Sequence, residues 1–490
     1  MITAVRVICF TMLLSAFSFR AAAEDFTNAI HAFLQQRVEV EKRDAAIVVG
    51  IVDEHNSSIV GCGKLDNGTD REVDGDTLFE IGSITKTFTA LLLQDMIERG
   101  EMKLEDPVAR YLPHSVKMPT RNAKEITLLE LVIHTSGLPE NPGNLGPTWA
   151  DYTAGQLYAF LSGYKLTDDP GARYEYSNLG ASLLGHVIAL KAGTNYESLV
   201  VDRICRPLKM NGTRITLTPE LKARFATGHD QLQAVPHEDR SPIFFPQGGL
   251  RSTANDLLKY VSAYLGLTRT SLTPLLEKTH EVHVQSGIPT QNLGSWVVQT
   301  DPRGRTFVFH AGDTAGYSAF IGFDEAGRRA AVVLCSSSDP VDVDGICALL
   351  LENEWQSDKR PRETKIRSSI CDSFVGQYQR SPHSPSAPGI GIRREGNRLF
   401  AQTAGPKSLP IRALLPPIEG ELLPESETRL FGRLSGMPIT VSRDATDKVA
   451  GLTVQFGGET FYYEKISGEP PKVPEPPKRP VAIKLDTKHP

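Results

Sequence analysis

At 490 residues the chain is too long for one compact domain, and two or three are expected. A hydrophobic content of 40% and a charged content of 23% describe an ordinary soluble globular protein. The formal net charge of −5 argues against nucleic acid as the main partner, because proteins that bind it carry a basic face.

The chain opens with Arg6, an apolar run over residues 7–17 (VICFTMLLSAF), and Ala21, Ala22 and Ala23 before Glu24. That order reads as a secretory signal peptide over residues 1–23. The run is shorter than the ~20 residues a membrane span needs, and no later segment is longer and more apolar, so no span is expected after signal removal. Export, periplasmic or beyond, is the expectation. Cys9 leaves with the signal. The five remaining cysteines are odd in number and show neither a CxxC nor a zinc spacing, so buried thiols are expected and no metal.

Residues 24–42 have apolar positions at helical spacing. Residues 46–52 (AIVVGIV) read as a buried strand with a hairpin partner near residues 58–60. FEIGSITKTFTALLL (79–93) follows, a helix to about Arg99 that Gly100 stops. Residues 104–265 are helical patches with Gly and Pro punctuation. Strands return at SWVVQT, TFVFHAG, SAFIGFD and AAVVLCSS, spaced as an antiparallel meander. Residues 344–355 (DGICALLLENEW) read as a closing helix. The sheet is therefore built from both ends of residues 24–357, with a helical region inserted. Residues 370–466 alternate as short strands and fit a small all-β domain, closed or sandwich-like. Residues 467–490, rich in Pro and Lys, read as a disordered tail.

Three patterns carry chemistry. Ser83 and Lys86 lie three apart, so on a helix they share a face. A lysine whose pKa is lowered by desolvation can take the proton of a serine nucleophile. S-x-x-K is a cheap pattern, and Ser162–Lys165 repeats it beside glycine with no apolar helix after it. Tyr176-Ser177-Asn178 heads an apolar helix; the phenol is a second candidate proton carrier, and the amide can hold a substrate amide. Capping chemistry explains that triplet equally well when it is taken alone. His310-Ala311-Gly312 ends the TFVFHAG strand, where glycine lets a substrate backbone come close. No G-x-S-x-G is present, and His280 and His283 have the wrong spacing for H-E-x-x-H.

The order SxxK, YxN, HxG resembles the active-site serine penicillin-recognising enzymes. FEIGSITK, LEDPVARYLP, ITLLELVIHTSGLP, PGARYEYSNLGASLLGHVI and QGGLRSTANDLLKY are similar to class C β-lactamases and their carboxypeptidase, D-aminopeptidase and esterase relatives. The resemblance covers residues 25–355. It implies an α+β, β-lactamase/transpeptidase-like fold, an antiparallel sheet flanked by helices with an inserted helical region, followed by the β-domain. It implies that Ser83 forms an acyl-enzyme and that Lys86 and Tyr176 share the proton transfers. Asn178, His310 and Gly312 would line the substrate, and the backbone N–H groups of Ser83 and Asp313 would form the oxyanion hole, with no cofactor. The implied partner is a small-molecule or peptide substrate: a β-lactam, a D-amino-acid peptide or an ester. Class C β-lactamases mostly carry Lys-Thr where His310-Ala311 stands here, and both changes weaken the grip on a substrate carboxylate. A penicillin-binding sensor without turnover is the reading outside enzymology.

Overall fold

The computed structural model describes residues 27–40 apart from 29, and 44–338 apart from 231, 238, 281, 285–289, 301–304, 325 and 327. It also describes residues 364–469 apart from 382–388, 397, 405–419, 433–437 and 457–458. The signal segment, the closing helix with Cys347, and the tail beyond residue 469 lie outside the described residues.

An eight-stranded antiparallel sheet organises the first part of the chain. It comprises β1 (Ala46–Val52), β2 (Ser57–Gly63), β3 (Val282–Val284), β4 (Thr290–Asn292), β5 (Val297–Thr300), β6 (Thr306–Thr314), β7 (Tyr317–Asp324) and β8 (Arg329–Cys335). The order is β2-β1-β8-β7-β6-β5-β4-β3, so β1 pairs with β8 across the helical insertion, Val49 opposite Val333. β1 is buried along its whole length because both sheet faces are covered. Val48, Val332 and Ile321 face the large core with the inserted helices, while Ile47, Val49 and Val333 face the N-terminal helix through Ile30, Phe33 and Leu34. The strand period of two assigns each residue to its face. A buried ion pair, Arg37 Nε to Asp44 Oδ2 at 2.7 Å, ties that helical segment to the start of β1.

Helix α1 (Thr85–Glu98) runs through the large core and is buried over Thr85–Met96. Three threonines in such a helix would be costly if their hydroxyls went unpaired. Each is used: Thr87 Oγ1 donates to the Ile84 carbonyl at 2.9 Å, Thr89 Oγ1 to the Pro246 carbonyl at 2.7 Å, and Thr85 Oγ1 accepts from Leu250 N at 3.2 Å. Gly100, at φ +69°, ends it. Two of the threonine bonds reach the short segment around helix Phe245–Gly248, which fixes that segment beside the start of α1.

The C-terminal unit is a closed eight-stranded antiparallel barrel from Gly376–Ser381 to Glu459–Ser467. Its first and last strands pair, Tyr378 opposite Lys465, so no edge is left open. Ile392, Leu399, Leu430, Ile439, Leu452 and Val454 fill the interior, and the preceding helix Ser368–Phe374 adds Cys371 and Phe374. Among the described residues no helix is long and apolar enough to cross a membrane.

Candidate active site

From Phe79 to Met96 every residue is buried except Ser83, which is half-exposed. Ser83 does not open the α-helix itself, as its position in the sequence suggests. It sits in a single 3₁₀ turn, Gly82–Ile84, that leads into α1. The turn is tighter than an α-helix and begins with Gly82 at φ +46°, a conformation costly for a side chain with a Cβ.

Lys86 is 1% exposed. Its Nζ donates to the Gln247 carbonyl at 2.8 Å and lies 2.9 Å from Ser83 Oγ. Burial, with the charge of Arg240 second, holds its pKa well below the ordinary lysine value. Nζ also lies 4.9 Å from the centroid of the Tyr176 ring. Burial pushes the Tyr176 phenol well above its ordinary value, and a hydrogen bond from Ser83 opposes the rise. The two shifts together favour a neutral amine and a neutral phenol around one serine.

Tyr176 stands at the head of helix Asn178–Ala192, whose cap is Ser177. Ser177 Oγ accepts from Gly180 N at 2.8 Å and donates to the Pro139 carbonyl at 2.7 Å. The capping chemistry is therefore real, and it coexists with Tyr176 facing Lys86. Asn178 donates its amide to Glu140 at 3.4 Å and Asn141 at 3.5 Å, while its Oδ1 is buried with no partner among the described residues. An amide oxygen in that state is an unused hydrogen-bond acceptor.

The third pattern does not end its strand: β6 continues through Asp313 to Thr314. Gly312 packs backbone to backbone on the Ser83 turn. A Cβ at Gly312 would lie 2.1 Å from the Ile81 carbonyl oxygen and 2.9 Å from Ser83 N; one at Gly82 would lie 2.7 Å from Asp313 N. The Ser83 and Asp313 amides are thereby brought alongside each other. His310, 4% exposed, donates Nδ1–H to the Ala311 carbonyl at 2.6 Å, and Nε2 has no partner among the described residues. Burial and the neighbouring Lys86 lower its pKa to about 4, so His310 is uncharged at neutral pH.

Sequence reasoning assigned no role to His134 or Gln247. His134 is 1% exposed and holds φ +56°. Its carbonyl accepts Glu175 N at 2.7 Å, its Nδ1 accepts Ser177 N at 3.1 Å, and its ring lies 4.6 Å from that of Tyr176. It thus grips the chain on both sides of Tyr176. Nδ1 must accept, so the proton sits on Nε2, and burial keeps the ring neutral, its pKa well below 6.5. The second S-x-x-K is elsewhere: Ser162 Oγ accepts from Lys117 N at 3.1 Å in an exposed setting.

These histidines predict an acid weakness. A His held neutral in the fold but charged when unfolded loses stability as pH falls below 6.5, and the loss continues to the folded pKa. For His310 that window is pH 6.5 to about 4, worth about 3 kcal/mol at its lower end. The thermal midpoint should drop across this window, and His310→Gln should flatten the drop. A midpoint constant from pH 7 to 4 would contradict the burial argument.

The beta-lactamase family profile matches residues 30–352. D-alanyl-D-alanine-carboxypeptidase/endopeptidase AmpH of Escherichia coli K12 is 31% identical over 218 residues, 44% of this chain and 56% of that protein. This chain thus spans a little over half the length of that relative. A beta-lactamase of the same organism is 27% identical over 302 residues, 60% of this chain and 78% of that one. Among solved structures, the D-alanine carboxypeptidase AmpC of Burkholderia cenocepacia superposes with a TM-score of 0.57 at 26% identity, covering 68% of this chain and 98% of that one.

Proposed function

The chain belongs to the beta-lactamase family, and from that premise we propose that it opens a β-lactam or related amide through an acyl-enzyme on Ser83. The observation that carries this is the buried Lys86 Nζ 2.9 Å from the one half-exposed residue of the buried stretch. A neutral lysine amine accepts the Ser83 proton as Oγ attacks the carbonyl carbon. The carbonyl oxygen, now negative, is held by the amides of Ser83 and Asp313. Tyr176, protonated and hydrogen-bonded to Ser83, passes a proton to the departing nitrogen, and Lys86 resupplies it. Water then releases the acyl group by the reverse proton path. Asn178 Oδ1 orients the substrate amide. Export through residues 1–23 belongs to the same proposal.

A second reading, a carboxypeptidase or other D-peptidase acting on cell-wall peptides, is favoured by the 31% identity to a relative named for that activity. His310, uncharged at neutral pH, lacks the cation that class C β-lactamases mostly place there, so the grip on a substrate carboxylate is weaker in both readings. An esterase also tolerates the loss.

Intact mass after mixing with benzylpenicillin, with Ser83→Ala as control, separates these. A one-penicillin adduct that forms and clears supports β-lactam turnover, and one that persists supports the peptidase. No adduct turns the search to esters and D-amino-acid amides. Full hydrolysis by Ser83→Ala on any substrate found would sink the nucleophile assignment.

A further inference from the structure

His134 stands where glycine is the usual choice. It follows the short helix Leu128–Val132 and its C-terminal cap Ile133, at φ +56°. The next amide, Thr135 N, closes back on the Glu130 carbonyl at 2.9 Å. That is the bond of a Schellman ending, whose left-handed residue is most often glycine because glycine has no Cβ to clash there. Glycine would also keep the main-chain carbonyl that accepts Glu175 N. The imidazole is therefore what the position gains for its strain, and its contacts converge on Tyr176. Nδ1 accepts Ser177 N at 3.1 Å, and the ring lies 4.6 Å from the Tyr176 ring at a tilt of 33°. Residues 174–177 belong to neither helix nor strand, so no ladder of backbone bonds fixes them. The helix that follows has anchors of its own: Ser177 Oγ donates to the Pro139 carbonyl at 2.7 Å, and Leu179 N to the Glu140 carbonyl at 2.9 Å. His134 thus fixes the segment that carries the phenol rather than the helix behind it.

We propose that His134 is the positioning residue for Tyr176: its Nδ1 bond and its ring hold the phenol where the leaving atom of the substrate departs. This rests on the acyl-enzyme reading above and adds a residue to it. The proton balance shows which step depends on it. Ser83 gives its proton to Lys86 as Oγ bonds to the carbonyl carbon. When the bond from that carbon to an amide nitrogen breaks, the electron pair goes to nitrogen, which takes the Tyr176 proton as it leaves. Tyr176 then regains a proton from Lys86. A p-nitrophenyl ester breaks its bond to oxygen instead. The p-nitrophenolate keeps the pair as a stable anion, and the proton on Lys86 passes to water. A displaced phenol therefore harms the first substrate and spares the second. The base itself is held elsewhere, by the Gln247 carbonyl at 2.8 Å, so it stays in place when the imidazole is removed.

The test compares His134→Gly and His134→Asn with wild type on benzylpenicillin, followed by mass, and on p-nitrophenyl acetate, each counted as the part that Ser83→Ala lacks. Glycine accepts φ +56° and removes the ring; asparagine accepts it too and offers Oδ1 as an acceptor in place of Nδ1. His134→Gly should slow acylation by the penicillin about 10²-fold, the cost of a misplaced catalytic group, and leave the ester within about threefold. The surviving ester rate shows that the site is formed. His134→Asn should restore about tenfold of the loss, because it renews the bond to Ser177 but not the ring contact. In a Tyr176→Phe background His134→Gly should cost nothing more, since both act on one proton transfer. Equal slowing of both donors overturns the proposal, because a merely distorted site harms both. So does unchanged penicillin acylation, a full further loss in the Tyr176→Phe background, or an asparagine that restores nothing. If Ser83 cleaves the ester and benzylpenicillin leaves no adduct, the β-lactam reading fails alone. Ethyl acetate, whose alkoxide also needs a proton to leave, then takes the penicillin's place with the same expected ratios. If Ser83 takes an acyl group from none of the three, the acyl-enzyme reading falls and this inference with it.

Discussion

Lys86→Met is expected to slow acylation of Ser83 about 10³-fold without unfolding the protein. Methionine is close to lysine in length and apolar, so it fills the same buried space and removes only the amine. The lost contribution is that of a positioned general base, typically 10²–10⁴-fold. No other group replaces it: Tyr176 is pushed toward its protonated form, and His134 and His310 have lost basicity to burial. Stability should move the other way at neutral pH. Lys86 is charged in the unfolded chain, and its folded pKa is lowered, so the unfolded state binds more protons and stability rises with pH up to the unfolded lysine value. Removing the amine removes that cost, while the Gln247 carbonyl loses its donor, which offsets part of the gain. The measurement is single-turnover acylation followed by mass, beside thermal unfolding of the same samples at pH 7. Acylation within tenfold of wild type would assign the base elsewhere.

The local half of this site was legible in the sequence. Ser83 with Lys86, and Tyr176 with Asn178, are short-range patterns fixed by helix geometry and capping, and each stands close to its expected element. The sheet was legible because its strands are short apolar runs separated by turn residues, the first of them buried along its whole length. What stayed hidden acts through the backbone or across long stretches of chain. Gln247 contributes a carbonyl, which any residue type would supply. His134 meets Ser177 across 43 positions, and a single histidine in an apolar segment carries no sign of that partner. Closure of the C-terminal barrel rests on the pairing of its first strand with its last, so strand spacing alone left a sandwich equally open.

Gly312→Ala is expected to cost as much activity as losing an oxyanion donor, about 10²–10³-fold in the acylation rate. The cause is steric and lies in the backbone. The added Cβ would sit 2.1 Å from the Ile81 carbonyl oxygen and 3.0 Å from its carbon, and no side-chain rotamer can relieve a clash between main-chain atoms. Either β6 moves outward or the Gly82–Ile84 turn does. Both motions separate the Asp313 and Ser83 amides, because the contact is reciprocal, with Gly82 closing on Asp313 N from the other side. The Ser83–Lys86 pair is internal to the turn and helix, so proton transfer should survive and only stabilisation of the developing oxyanion should fail. That predicts a fall in the acylation rate with little change in its pH dependence. Gly163→Ala is the control, since a Cβ there meets nothing within 4 Å. Activity of Gly312→Ala within twofold of wild type would mean that the oxyanion is not held between Ser83 and Asp313. The close approach of the two backbones would then serve packing of β6 against the turn, and the donors would have to be sought on the other side of Ser83.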